Sequence, residues 1–382
     1  MPINIVRQTA RFFFAAVFIF SGFVKAVDPL GSTYKFQDFF TAFGVEWLFP
    51  AALPLAVGLS TLEFVVGAAF LTGLKMQVFA PTGLALMAVL TPATIFIALT
   101  DPVPHCGCFG DAIVISNQAT AYKNLLLFAA AAVVFFNRRT IRPLISGKSL
   151  WIAVLTAVFM ISGISLYGLT YLPIIDFRPW KPGNNIAELI ASPEEPSRPI
   201  VLVFENRKTG ETRNYPADDY PWDDPEWAEL WEYKDRKEKK AKPDAGTSIA
   251  NFNITHFSIM DKSGNDLTAS FINTPGYLYL VVAYDLNTAN GRAFDEKLAP
   301  LAETALQNGH EWIALTASPP ETVRDFRQTH DAAYPFFFSD ERELKTVIRS
   351  NPGLVILKNG VVAEKWPYRN LPSPETLIRD IQ

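Results

Sequence analysis

The chain has 382 residues, 49% of them hydrophobic and only 19% charged, with 30 Phe, 28 Pro, 2 Cys and a net charge of -4. That length points to two or three domains, the low charge excludes a disordered-tail protein, and no basic arm or face marks a nucleic-acid binder. The charge is uneven: residues 1–175 hold 10 Lys+Arg and 6 Asp+Glu, whereas the remainder holds 24 and 32, the contrast expected when only the first half sits in lipid.

Five apolar stretches approach or reach the ~20 residues needed to cross a hydrocarbon core of ~30 Å. They cover residues 5–27, 48–74, 76–100, 119–136 and 150–175. The third and fifth carry no charge, and the second carries Glu63. A very short turn at Lys75 joins the second and third and predicts an antiparallel helical hairpin. After Val27 comes Asp28-Pro29-Leu30-Gly31 rather than a small-residue cleavage site, which predicts a retained anchor instead of a signal peptide. Arg7, Arg11, Lys75, Arg138, Arg139, Arg142 and Lys148 gather on one side of a five-span arrangement. The positive-inside rule then predicts a cytoplasmic N-terminus and an outer location for everything after residue 175. Between the first two spans, residues 33–47 repeat aromatics at helical spacing, which predicts a short interfacial or re-entrant helix, with an aromatic belt that anchors the bundle as the plainer reading.

The connection between the third and fourth spans reads DPVPHCGCFGD and holds both cysteines, Cys106 and Cys108. On the outer side the two thiols meet an oxidising environment and can pair with each other or with a partner molecule. A Cys-Gly-Cys disulfide closes a very small ring and is easily reduced, and a protonated His105 beside it favours a thiolate. Three readings stand: redox exchange, an inert loop staple, and a metal site using His105, Cys106, Cys108 and Asp111. The spacing makes a poor tetrahedron, so no metal is assigned. Glu63, inside a span, is either inter-helix glue or a proton relay. Lys25 is expected to snorkel to the surface or to pair with Asp28.

The CGCFGD run between two apolar spans, with RFFFAAVFIFSGFVK in the first span and LEFVVGAAFLTG in the second, resembles the MauE branch of the DoxX-like membrane proteins over residues 1–140. The resemblance implies a bundle in the bacterial cytoplasmic membrane, a methylamine-utilisation context, and a role in forming disulfides in an exported protein. Its thiol-redox role carries onto Cys106 and Cys108, and the DoxX link implies a quinone as a possible electron acceptor.

In the outer half, IVLVFE, a turn at NRKTGE and TRNYP predict a hairpin. Acidic residues followed by basic ones predict a helix over residues 225–242, with Trp227, Leu230, Trp231 and Lys234 on one face. From Asn253 strands and helices alternate: strands at 277–284, 312–316, 335–338, 353–357 and 361–366, with helices at 294–307, 320–329, 341–348 and from Pro374. This stretch, through ITHFSIMDKSGNDLT, YLYLVVAYD and SNPGLVILKNGVVAEKW, resembles the TlpA and peroxiredoxin-related thioredoxin superfamily, with Pro352 at the position of that family's cis-proline. Where the family carries C-x-x-C the chain has AYDLNTAN, which leaves no dithiol chemistry there. Pro352, Asn351, Asp285, Asn287 and Asn290 then form either a peptide-docking surface or a structural vestige.

The expected architecture is a membrane α-helical bundle of about five spans plus an α/β thioredoxin-like C-terminal domain. Its parts are a four-helix membrane domain (1–146), a fifth span (147–175), an exported polar linker with the hairpin (176–247) and the thioredoxin-like domain (248–382). The expected partners are membrane lipid, an exported (periplasmic) protein client and a quinone. The expected function is thiol-redox exchange through the cysteine pair, with a non-enzymatic membrane scaffold as the alternative. A transporter is disfavoured, because no repeat is evident and Glu63 stands as the charge well inside a span.

Overall fold

The computed structural model describes residues 2–103, 105–143, 149–191, 200–207, 209–216, 227, 230–238, 254 and 257–381. Two compact units emerge, one combining residues 1–187 with 256–382 and the other residues 188–255.

In the first unit, six helices open the chain: α1 (Pro2–Val27), α2 (Pro29–Ala42), α3 (Ala52–Thr72), α4 (Met76–Thr100), α5 (Asn117–Phe136) and α6 (Ser149–Thr170). Among the described residues, five segments are long and apolar enough to cross a membrane: Asn4–Val27, Glu46–Thr72, Met76–Thr100, Asn117–Phe136 and Ile152–Thr170. They correspond to the five predicted spans and make a helical bundle. Gly73 and Lys75 adopt left-handed backbone angles in the turn between α3 and α4, and Lys148 lies outside the described residues.

Small residues decide which helices touch. A Cβ on Gly22 would stand 2.6 Å from the backbone of Ser60 and Phe64, and one on Gly67 would stand 2.7 Å from the amide of Ile19. These two glycines let α1 and α3 approach backbone to backbone, the device by which apolar helices associate in lipid, where no hydrophobic force separates them from their solvent. Phe14, Phe18, Phe70, Met87 and Leu127 fill the core between α1, α3, α4 and α5. The Phe14 ring stacks on Phe18 at 4.0 Å and on Phe70 at 4.3 Å. Two helices take side-chain N-caps from the residue before them. Asp28 Oδ1 accepts the Gly31 amide at 2.9 Å ahead of α2, with Pro29 in the first turn, and Ser116 Oγ accepts the Ala119 amide ahead of α5.

The same unit contains a five-stranded sheet of order β6-β5-β4-β7-β8: β4 (Tyr277–Val282), β5 (Glu311–Thr316), β6 (Phe336–Phe338), β7 (Gly353–Lys358) and β8 (Val361–Pro367). β4, β5 and β6 run parallel, while β7 and β8 run antiparallel to their neighbours. Leu280, Val281, Leu354 and Val355 are fully buried, which is why the two central strands are continuous apolar runs rather than alternating ones. Helices Ala299–Gln307, Pro320–Thr329, Glu341–Val347 and Pro374–Ile381 alternate with the strands, and the Asn351–Pro352 peptide bond is cis.

The second unit is a three-stranded antiparallel sheet of order β2-β1-β3: β1 (Ile200–Asn206), β2 (Thr212–Pro216) and β3 (Trp231–Glu238). β1 and β2 form the predicted hairpin. The helix expected over residues 225–242 is overturned where β3 stands, and residues 225–226, 228–229 and 239–242 lie outside the described ones. The acidic-to-basic gradient suits a helix dipole, but the period-2 spacing of Trp231 and Tyr233 also suits a strand. Pairing with the open edge of β1 over the length of β3 decides the matter. Trp227 packs edge-on to Phe204 at 4.7 Å and its ring nitrogen donates to the Tyr215 hydroxyl at 3.3 Å, so the aromatic stripe packs within its own unit.

Candidate functional site

The loop from Asp101 to Ser116 carries Cys106 and Cys108 back toward the bundle axis. Asn117, at the start of α5, donates to Asp101 at 2.8 Å and to the Val103 carbonyl at 2.9 Å, which fixes the loop's base. Ser21 of α1 donates to the Cys108 carbonyl at 2.8 Å. Gly107 takes a φ of +69°, and a Cβ there would meet the Lys35 stem at 3.1 Å. A residue without a side chain thus lets the loop turn tightly and lie flat on α2. The two Sγ atoms stand 3.3 Å apart, and both cysteines are half-buried thiols.

Both sulfurs face a cavity of about 480 Å³ inside the bundle. Its apolar wall includes Phe36, Phe39, Phe40 and Phe43, whose i, i+3, i+4, i+7 spacing presents one helix face. Phe36, Phe39 and Phe40 of the predicted aromatic belt line this space, whereas Phe43, just past the end of α2, borders it with 49% of its surface exposed and Trp47 is 77% exposed. The cavity's polar groups include Lys25, Glu63, Lys35 and Lys123. The expected Lys25–Asp28 pair is overturned. Lys25 Nζ donates to both Glu63 oxygens, at 2.7 and 2.8 Å, and to Ser21 Oγ at 3.1 Å, because the close α1–α3 approach makes Glu63 its nearest anion. Lys123 lies over the Phe109 ring at 4.3 Å.

This setting separates the two thiols. A hydrogen bond from Cys106, assisted by the Lys123 and Lys25 cations and opposed by burial, lowers the Cys108 thiol to about 6. The same hydrogen bond, together with burial, pushes Cys106 up. Cys108 is accordingly the more readily ionised of the two sulfurs. The cationic role expected of His105 is not fulfilled. Burial and then Lys35 push its imidazole below the usual range, so it is neutral at pH 7 and the lysines supply the positive field.

Residues 3–137 match the family model for methylamine utilisation protein MauE. The matched stretch holds α1 to α5, the cysteine loop and every residue lining the cavity. No curated protein and no solved structure matches the chain.

The predicted docking residues lie in the loops that follow β4 and precede β7. Pro352 is buried, and Asn351 donates its side-chain amide to the Asp285 carbonyl at 2.7 Å and to Thr288 Oγ1 at 3.2 Å. The Asp285 carboxylate accepts the Asn287 amide at 3.0 Å and the Thr288 hydroxyl at 2.8 Å. Neighbouring side chains meet the bundle instead of a free surface. Arg349 donates to Asp28 and to Asp111 of the cysteine loop, at 2.9 and 3.0 Å. Arg342 reaches Asp38 at 2.7 Å, and the hydroxyls of Tyr34 and Tyr284 stand 3.5 Å apart. Among the described residues no group of three or more His, Cys, Asp or Glu is arranged to hold a metal ion.

Sequence reasoning overlooked Lys35, Lys123 and Ser21 and misassigned Lys25. Two signals were there to be used: a lysine inside the apolar run of the fourth span, and the FxxFFxxF spacing of α2.

Proposed function

We propose that the chain is an integral membrane thiol-redox protein in which Cys106 and Cys108 alternate between dithiol and disulfide, oxidising an exported protein client and passing the electrons to a quinone. The observation that carries this reading is the placement of both sulfurs, 3.3 Å apart, on the wall of the apolar cavity. Closing the disulfide breaks two S–H bonds, forms one S–S bond and releases two electrons and two protons. A quinone supplies a lipid-soluble acceptor for both pairs. The cavity fits such a group in three respects: about 480 Å³ of space, a four-phenylalanine wall suited to a flat ring, and cationic donors for a carbonyl oxygen.

In client oxidation a client thiolate attacks Cys106 of the closed disulfide and Cys108, whose thiolate is the better stabilised of the two, leaves; a second client thiol then displaces Cys106 and completes the client disulfide. The strand order β6-β5-β4-β7-β8 supports the thioredoxin-like reading of the C-terminal domain. Without cysteine after β4, that domain serves to hold or present the client rather than to exchange thiols. The charge distribution supports an outer, periplasmic position for it and a cytoplasmic N-terminus. The match to the methylamine utilisation protein model supports a methylamine-utilisation context for that client.

The test uses the full chain in lipid nanodiscs with a short-chain ubiquinone analogue and a reduced client peptide. Alkylation and mass spectrometry then follow the Cys106–Cys108 peptide. Quinone-dependent closure of the disulfide, lost on replacing either cysteine by Ser, supports the reading. Client oxidation that persists in both Ser variants removes it and leaves the scaffold reading.

A further inference from the structure

A lysine and a glutamate deep in an apolar bundle need an explanation beyond packing. A buried ion pair is worth little more than a well-packed apolar pair, and ionisable groups within spans are costly to insert. Plain inter-helix glue would be sealed between α1 and α3. Here both members instead open onto the cavity that the two sulfurs share. The link to the cysteine loop is direct, since Lys25 Nζ donates to Ser21 Oγ at 3.1 Å and Ser21 Oγ donates to the Cys108 carbonyl at 2.8 Å. The other titratable groups on the cavity wall are Lys35, Lys123, Cys106 and Cys108. Lys35 is engaged by Asp38 at 3.8 Å and Lys123 by the Phe109 ring. Lys25 alone among the three cavity lysines has a carboxylate within 3 Å that faces the same space.

We propose that the Lys25–Glu63 pair is the proton-exchange group of this cavity, moving the protons released by Cys106 and Cys108 to the carbonyl oxygens of the bound acceptor. The inference rests on the thiol-redox reading above and assigns its acid and base. Counted from the dithiol, two S–H bonds break and one S–S bond forms: the Cys108 proton passes to the Lys25–Glu63 pair on ionisation and the Cys106 proton on ring closure, and two electrons reach the acceptor, whose two carbonyl oxygens become hydroxyls. Lys25 gives up a proton from Nζ to an acceptor oxygen and takes its replacement from the sulfur pair. Glu63 keeps Lys25 charged between transfers and orients it toward the cavity. Ser21 holds the cysteine loop in register with the pair.

The deciding variant is Lys25→Arg. Arginine preserves a charged partner for Glu63 and a hydrogen-bond donor, but it does not release its proton in proteins. The experiment uses the full chain in nanodiscs with the short-chain ubiquinone analogue, and measures quinone-driven disulfide closure against pH together with equilibrium binding of the same analogue. Closure by diamide, which needs no relay, reports that the loop is folded. In Lys25→Arg, closure by the quinone is expected to slow about 100-fold or more, the range of general acid–base effects, while binding stays within about threefold. A rate within about threefold of the parent overturns the proposal. If diamide fails to close the Lys25→Arg loop, the double variant Lys25→Met/Glu63→Met leaves no unpaired charge and is read by the same two criteria on rate. If the parent chain itself shows no quinone-driven closure, both the thiol-redox reading and this inference fall. A parent that closes while the variant matches it removes the relay alone.

Discussion

Arg349 reaches back 321 residues to Asp28, donating from Nε at 3.1 and 3.0 Å and from Nη2 at 2.9 Å. A fourth contact at 3.0 Å joins the same guanidinium to Asp111, three residues beyond Cys108. One arginine from the C-terminal sheet thus holds both the cap of α2 and the cysteine loop. Its side chain is only 5% exposed, so the interaction is weakly screened by salt.

Removing one partner of such a pair leaves the other charge buried alone, which costs about 3–5 kcal/mol. Arg349→Ala is therefore expected to release the C-terminal sheet from the bundle, measured as faster hydrogen exchange in α2 and in residues 105–111. Arg342→Ala, which removes a pair whose arginine is 71% exposed, should cost at most about 1 kcal/mol and leave that exchange pattern unaltered. Equal effects from the two substitutions would refute the assignment.

Acid should act through Asp28. Burial raises its carboxyl, but Arg349 and then Arg178 outweigh it and hold the group below the ordinary carboxylate value of 3.8. A depressed carboxyl contributes stability that is complete above its unfolded value and is lost as pH falls through the lower folded one. The sheet should accordingly stay docked at pH 5 and detach only below about pH 3.8, followed by the same exchange probe. Detachment already at pH 6 would contradict it.

Cys108 and Cys106 should differ in reactivity. With Cys108 near 6, its alkylation by iodoacetamide in the dithiol chain is expected to reach half its maximal rate about one unit below neutrality, whereas Cys106 stays slow. Cys106→Ala removes the hydrogen bond named first among the causes and should shift the Cys108 midpoint upward. An unshifted midpoint would mean that the lysines alone set it.

Lys365 offers a stability test outside the apolar helices. Burial, and secondarily Arg178, lowers its amine to about 7 despite the Asp176 carboxylate at 2.9 Å. A lysine depressed in the folded state binds fewer protons there than in the unfolded chain, so stability rises between about pH 7 and the ordinary value of 10.5. Lys365→Met should flatten that slope in denaturant titrations. A slope equal to that of the parent would show that Lys365 does not carry it.

Packing between α1 and α3 depends on Gly22. Gly22→Leu would drive a side chain into the backbone of Ser60 and Phe64 and cost about 1–3 kcal/mol through overpacking. By parting the helices it should also separate Lys25 from Glu63, so quinone-driven closure of the disulfide is expected to fall along with thermal stability. Retained stability would show that the helices part without strain.

Local composition determined the elements themselves. Runs of about 20 apolar residues have no soluble alternative, so the five spans were legible one by one. The continuous apolar strands β4 and β7 and the Asn359-Gly360 turn between β7 and β8 were legible for the same local reason. The cysteine loop also stood out, because two thiols one residue apart are chemically conspicuous wherever they fold. Partner choice was not legible. Lys25 lies three residues from Asp28 and 38 from Glu63, and only the glycine-mediated contact of α1 with α3 makes the distant carboxylate the near one. Phe36, Phe39 and Phe40 line a cavity because α2 packs back over α1 and α3. β3 has a charge gradient that a helix would also accept, and an available strand edge decided its conformation. Sequence periodicity fixes what a segment can bury, whereas the neighbours it meets fix which charge is neutralised and which ring lines a site.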